Sequence, residues 1–198
     1  MMGKQMAFYI DQEHCSGCCT CQTACKDKNN LAPGQLFRSV SEFAGGGYRQ
    51  IGGAVYQEVF AYWVPMSCNH CQDPLCVSKC PVQAIYKREE DGIVMINAEL
   101  CIGCRICVRN CPYGAPNYNP ITRKAEKCEM CQDQLAAGKQ PVCVNSCPLR
   151  LIECGPLEEL QAKHGTVNQI EGLPDAQLTR PSLVISPHRS AIRNERHS

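Results

Sequence analysis

C-I-G-C-R-I-C-V-R-N-C-P, residues Cys101 to Pro112, spaces its four cysteines as C-x2-C-x2-C-x3-C and ends them on a proline. That spacing puts three thiolates around one iron–sulfur cube and sends the fourth to a neighbouring cube. The pattern recurs on either side. Cys68, Cys71, Cys76 and Cys80, followed by Pro81, repeat it with two residues added between the second and third cysteine. Cys15, Cys18, Cys21 and Cys25 repeat it unaltered, with Lys26 in the place of the proline. Cys128, Cys131, Cys143 and Cys147, followed by Pro148, stretch the middle gap to eleven residues. Sixteen of the eighteen cysteines therefore fall into four groups, enough ligands for four 4Fe-4S clusters.

Two other chemistries use cysteine in number. Disulfides suit short secreted chains, but no secretory signal is readable here and the spacings are too regular. Zinc sites use pairs of C-x2-C knuckles and let the loops between them vary. Here the third cysteine follows after only two residues in two groups, and three groups end in Cys-Pro. Crossed ligation in the manner of a two-cluster ferredoxin pairs loop two with loop three, so Cys68, Cys71, Cys76 and Cys111 are expected to hold cluster c. Cys80, Cys101, Cys104 and Cys107 are expected to hold cluster d. Loops one and four pair in the same way: Cys15, Cys18, Cys21 and Cys147 for cluster a, and Cys25, Cys128, Cys131 and Cys143 for cluster b. Cys19 and Cys154 are left over, the first as a sheltered thiol and the second as a small buried hydrophobe. His14 and His70 adjoin ligands and read as hydrogen-bonding or surface groups; His164, His188 and His197 read as surface residues.

Composition bounds what else the chain can be. The apolar fraction of 44% includes the cysteines. Without them it falls to about 35%, so burial alone offsets conformational entropy poorly and metal ligation becomes the staple. A net charge of +1 gives no electrostatic case for nucleic acid. There is no apolar run long enough to span a bilayer, so the chain is expected to be a soluble subunit, assembled in the cytoplasm where thiols stay reduced. Lys26, Lys79, Arg105, Arg109, Lys127 and Arg150 flank the cysteines and can oppose cluster charge. No Ser-His-Asp set or paired-carboxylate site is evident, and the chain reads as a non-catalytic carrier.

Between the cysteine loops lie short strand and helix signals. Ala7 to Asp11, Ala54 to Val64 and Leu149 to Glu153 read as strands; Ala84 to Tyr86 and Gly92 to Ile96 read as a hairpin; Pro156 to Lys163 reads as a helix. Ser39 to Gly53, with Gly45-Gly46-Gly47, reads as a solvent-exposed turn. The expected fold class is α+β, built as two intertwined bacterial-ferredoxin-like modules with small β-hairpins, short helices and long loops. Residues 5–34 pair with 120–155 as the outer two-cluster module, and 58–90 with 91–120 as the inner one. Residues 156–198 make a helix and an extended C-terminal arm lying over the core or a partner. A chain of this length has a radius of gyration of about 16 Å and a diameter of about 40 Å, so four cubes inside it lie about 10 Å apart. Four centres so spaced suit a wire between two distant sites.

The four cysteine groups, with S-C-N-H-C-Q-D-P at Ser67 to Pro74, C-P-Y-G-A-P at Cys111 to Pro116 and G-K-Q-P-V-C-V-N-S-C-P-L-R at Gly138 to Arg150, resemble the iron–sulfur beta subunits of the dimethyl sulfoxide reductase family. That resemblance implies an electron-transfer subunit between a molybdopterin (bis-pterin guanine dinucleotide) catalytic subunit and a membrane anchor that uses menaquinol. It places cluster d at the quinol end, then c, then b, with cluster a at the molybdenum subunit. It also implies a position peripheral to the cytoplasmic membrane, with export in the folded state where a partner carries a twin-arginine signal. In similar nitrate reductase subunits the position of Cys104 is a tryptophan beside a three-iron cluster; Cys104 is present here, which implies four 4Fe-4S centres. The competing function is a stand-alone polyferredoxin shuttling electrons between soluble redox enzymes.

Overall fold

The computed structural model describes residues 4–192; the end of the 156–198 segment, with His197, lies outside them. The architecture is α+β, with small sheets and short helices between cysteine-bearing loops. At its centre, β1 (Met6–Asp11) is flanked on one side by antiparallel β10 (Ile152–Pro156) and on the other by parallel β11 (Leu183–Ser186). The period-two alternation of a strand divides β1 between two faces. Phe8 and Ile10 join Ile152, Cys154, Leu183 and Ile185 in the main core, while Ala7, Tyr9 and Val184 pack under α6 (Leu157–His164) through Leu157 and Leu160. The extended Leu183 to Ile185 thus lies on the core, with Leu183 and Ile185 each 2% exposed.

A long hairpin rises from this centre. β2 (Arg38–Gly45) pairs with β5 (Phe60–Ser67), and β3 (Tyr48–Ile51) with β4 (Ala54–Gln57) continues it into solvent. The sequence reading of 39–53 as a turn is corrected here, since two strands occupy most of it. Ser39, Ser41 and Glu42 hide the signal because apolar partners such as Trp63 and Val64 come from the opposite strand. The single strand expected over 54–64 is likewise two, interrupted at Glu58 and Val59. β6 (Ile85–Lys87) with β7 (Val94–Ile96), and β8 (Asn117–Asn119) with β9 (Lys124–Glu126), are three-residue hairpins that close the remaining loops. The strand expected at 149–153 begins three residues later, because Arg150 takes a left-handed turn at φ 56°.

Five further short helices carry or adjoin cysteines: α1 (Thr20–Lys28), α2 (Leu75–Ser78), α3 (Ile106–Asn110), α4 (Gln132–Ala136) and α5 (Val142–Ser146). In every loop the third and fourth cysteines stand four residues apart, one helical turn, so both fall on the same side of α1, α2, α3 or α5 or just past its end.

Candidate functional site

Each cysteine loop turns through a left-handed residue directly before its second cysteine: Gly17 at φ 69°, His70 at 42°, Gly103 at 68° and Met130 at 55°. Only this turn reverses the chain tightly enough to bring the first and second sulfurs around a common space. At Gly103 a side chain has no room, since an added Cβ would sit 2.2 Å from the Arg123 carbonyl oxygen. At Gly17 it would meet the Trp63 ring at 2.5 Å. His70 and Met130 hold the same conformation fully buried.

Three cavities result, each walled by four cysteines. Cys68, Cys71, Cys76 and Cys111 line one. Cys25, Cys128, Cys131 and Cys143 line a second, and Cys80, Cys101, Cys104 and Cys107 a third. For the fourth set, Cys15 lies within electrostatic range of Cys18 and Cys147, and Cys21 within range of Cys15 and Cys147. The C-x3-C turn explains the crossing. Cys76 and Cys80, one turn apart, open into different cavities, as do Cys107 and Cys111.

The sets also adjoin one another. Cys21 lies within electrostatic range of Cys143 and Cys128 of Cys68, and the shared turns of α2 and α3 join the remaining two cavities. Exposure follows this order. Cys18 and Cys104, at the two ends, are exposed, whereas Cys25, Cys128, Cys143, Cys68, Cys71 and Cys76 between them are buried. Leu100, Ile102 and Ile121 stand exposed beside the Cys104 end.

The donor chemistry suits a polyatomic group. Thiolates bind zinc at about 2.3 Å, which would draw four sulfurs to a point. Among the described residues no three His, Cys, Asp or Glu side chains converge in that way. No two cysteines are joined as a disulfide, and backbone N–H groups already aim at several: Met130 donates to the Cys128 sulfur at 3.3 Å, Leu151 to Cys147 at 3.4 Å and Ala125 to Cys101 at 3.5 Å. Burial pushes Cys21, Cys25 and Cys71 up to about 11 and Cys76 up to about 12, and raises Cys128 further. Free thiols of this kind stay protonated at neutral pH, and a metal that binds them must displace those protons. Enclosures with four cysteines in their walls and N–H donors aimed at the sulfurs fit a 4Fe-4S cluster.

Of the flanking cations expected to oppose cluster charge, only Lys127 is buried, at 2% exposed. Its Nζ donates to the Cys128 carbonyl at 2.8 Å and to that of Val94. Lys79, Arg105, Arg109 and Arg150 are exposed, and Lys26 staples its loop by donating to the Ala32 carbonyl at 2.8 Å. His70 accepts the Val94 N–H at Nδ1, 3.0 Å away, which leaves the proton on Nε2. Burial, with Lys127 and Lys87 nearby, holds it well below the ordinary histidine range and therefore neutral. His14 is an exposed partner of Asp11. His164 is not a plain surface residue: it stacks on Tyr9 at 3.5 Å between ring centres. Cys154 is buried and pushed up to about 12; Cys19 is half-buried, with its thiol donating to the Gly17 carbonyl at 3.3 Å. Arg38 was invisible to sequence reasoning, because it lies thirteen residues beyond the nearest cysteine before it. The fold brings it into the Cys25–Cys143 cavity.

A family model described as a 4Fe-4S dicluster domain matches residues 59–157. The sequence is 48% identical over 190 residues to the probable anaerobic dimethyl sulfoxide reductase chain YnfG of Escherichia coli K12, covering 96% of this protein and 92% of that one. It is 47% identical over 190 residues, with the same coverage, to the B subunit of the anaerobic dimethyl sulfoxide reductase of that organism. It is also 34% identical over 192 residues to the B subunit of the polysulfide reductase of Wolinella succinogenes, covering 95% of this protein and 97% of the relative.

Proposed function

The protein belongs to the 4Fe-4S dicluster family that includes the B subunits of anaerobic dimethyl sulfoxide reductases, and from that premise we propose that it is the electron-relay subunit of an anaerobic respiratory reductase, holding four 4Fe-4S clusters in a row. The observation that carries the reading is the succession of four-cysteine sets, each adjoining the next, with an exposed cysteine at either end. Bound in these sets, each cluster supplies reversible one-electron transfer. The polypeptide does the rest.

Cys15, Cys18, Cys21 and Cys147 hold cluster a; Cys25, Cys128, Cys131 and Cys143 hold b; Cys68, Cys71, Cys76 and Cys111 hold c; Cys80, Cys101, Cys104 and Cys107 hold d. Crossed ligation makes two intertwined modules, 5–34 with 120–155 and 58–90 with 91–120. Buried walls keep water from the middle sets. The N–H groups of Met130, Leu151 and Ala125 donate to ligand sulfurs and so favour the more negative, reduced state.

At the exposed Cys104 end, with apolar Leu100, Ile102 and Ile121 around it, the protein receives electrons from a menaquinol-linked membrane anchor subunit. At the Cys18 end it delivers them to a molybdopterin catalytic subunit. No helix among the described residues is long and apolar enough to cross a membrane, in keeping with attachment through the anchor. Anaerobic purification tests the reading. The complex should contain a large molybdenum subunit, and this subunit should carry about sixteen iron atoms and as many labile sulfides. A protein recovered alone with full iron would mark a free-standing carrier, and one with far less iron would sink the four-cluster assignment.

A further inference from the structure

We propose that Arg38 is a fixed positive charge set between the cysteines of clusters a and b, where it raises the reduction potentials of both, and of b the more. The inference rests on the cluster reading above and adds to it a residue that belongs to none of the sequence motifs.

Arg38 opens β2 and is 1% exposed. Its Nη1 donates to the Pro65 carbonyl at 2.6 Å and its Nη2 to the Ser67 hydroxyl at 3.1 Å. The guanidinium lies over the Phe8 ring, 4.9 Å from its centre. Nε is buried with no partner. Among the described residues no carboxylate pairs with it. An arginine stays charged at any ordinary pH, and an unpaired buried charge costs several kcal/mol, so counter-charge must be close by. Bound as thiolates, the neighbouring cysteines supply it: Cys25, Cys128 and Cys143 line the same cavity as the guanidinium, and Cys21 stands within electrostatic range of it. Three of them belong to set b and one to set a, and the side chain itself lines the b cavity.

A cube on four thiolates carries net negative charge, and reduction adds one unit more. A guanidinium held beside it by Pro65, Ser67 and Phe8 stabilises the reduced state, and the low local dielectric magnifies the effect. The hydrogen bonds also anchor the base of the β2–β5 hairpin, which offers a purely structural role. Charge and anchoring are separable by experiment.

The test is a redox titration followed by electron paramagnetic resonance on the anaerobically purified complex, with signals assigned by single Cys→Ser variants. In R38Q the midpoints of a and b should fall, with the reduction constant of b dropping about tenfold, or about 59 mV for one electron. Those of c and d should hold, and R38K should keep wild-type midpoints. Unchanged midpoints in R38Q, an equal fall in all four, or the same fall in R38K would overturn the proposal. Should R38Q lose iron, R38K decides: full iron and wild-type midpoints support a role for charge, and iron loss in R38K as well overturns it in favour of packing. Wild-type complex without four centres would sink the cluster reading itself, whereas wild type with four centres and a flat R38Q sinks only this inference.

Discussion

Loops one and four contribute as many motif cysteines as loops two and three, yet the two regions are closed by different means. The first pair comes together from opposite ends of the chain. They meet under the three-stranded sheet, inside a core that includes Phe8, Ile10, Leu31, Phe37, Ile152 and Leu183 and surrounds Arg38. The second pair, adjacent in sequence, lends Cys68, Ile93, Met95 and Ala115 to that same core and is otherwise closed by two hairpins of three-residue strands over a small cluster around Ala84, Ile85, Val94 and Ala125. Where distant loops must be brought together, apolar burial and a sheet do it. Where the loops are neighbours, closure relies on turns and on whatever the cysteines bind.

The sharpest way to break this contrast is to remove the metal. Anaerobic chelation should abolish the cooperative thermal transition seen by circular dichroism, because about 35% non-cysteine apolar content leaves little else to oppose chain entropy. If the contrast holds, hydrogen exchange in the chelated protein should show residual protection confined to β1, β10 and β11. A native-like cooperative melt would mean that the core is sufficient without metal.

Core truncation is the next largest effect. Ile10→Ala and Ile85→Ala, at 2% and 4% exposed, each remove a branched side chain, a change that costs about 2–5 kcal/mol in a well-packed interior. Ile10→Ala should lie at the upper end and release iron from the Cys25–Cys143 set first. Ile85→Ala should lie at the lower end and release it from the Cys80–Cys107 set. Denaturation monitored through iron absorbance reads both. Equal costs with indiscriminate iron loss would show that the two regions do not differ.

The loop turns allow a finer comparison. Gly103→Ala forces a methyl group against the Arg123 backbone carbonyl, whereas Gly17→Ala meets the Trp63 ring, which can shift. Both hold an alanine in the left-handed region, which costs about 1 kcal/mol or more, but only Gly103→Ala must also move backbone. It should therefore lower the iron content of the second region while Gly17→Ala leaves that of the first near normal. The smallest effect belongs to the exposed Arg180–Asp73 pair, whose two hydrogen bonds tie residue 180 to loop two. Asp73→Asn should shift the denaturation midpoint slightly at low salt and not measurably at high salt, since an exposed pair is screened.

Much of this was readable from cysteine spacing. The four groups and the expected sharing of third and fourth cysteines between sets follow from local pattern and helical pitch; the left-handed turn before each second cysteine does not, since His70 and Met130 adopt it as Gly17 and Gly103 do. The β2–β3 half of the long hairpin was not readable, because Ser39, Ser41 and Glu42 take their apolar complement from a strand about twenty residues on. Nor was the fate of Leu183 to Ser186, whose parallel partner lies at the other end of the chain.

Sequence alone determined the chemistry: sixteen thiols in four groups allow few chemistries other than iron–sulfur binding, since ligand type and spacing are local properties. Tertiary structure alone decided what surrounds that chemistry. It chose which strand seals the first and last loops, left Lys79, Arg105, Arg109 and Arg150 in water while burying Lys127, and carried Arg38 from between two loops into a cavity lined by four cysteines. The reason is that electrostatic influence depends on distance and burial, and neither is set by separation along the chain.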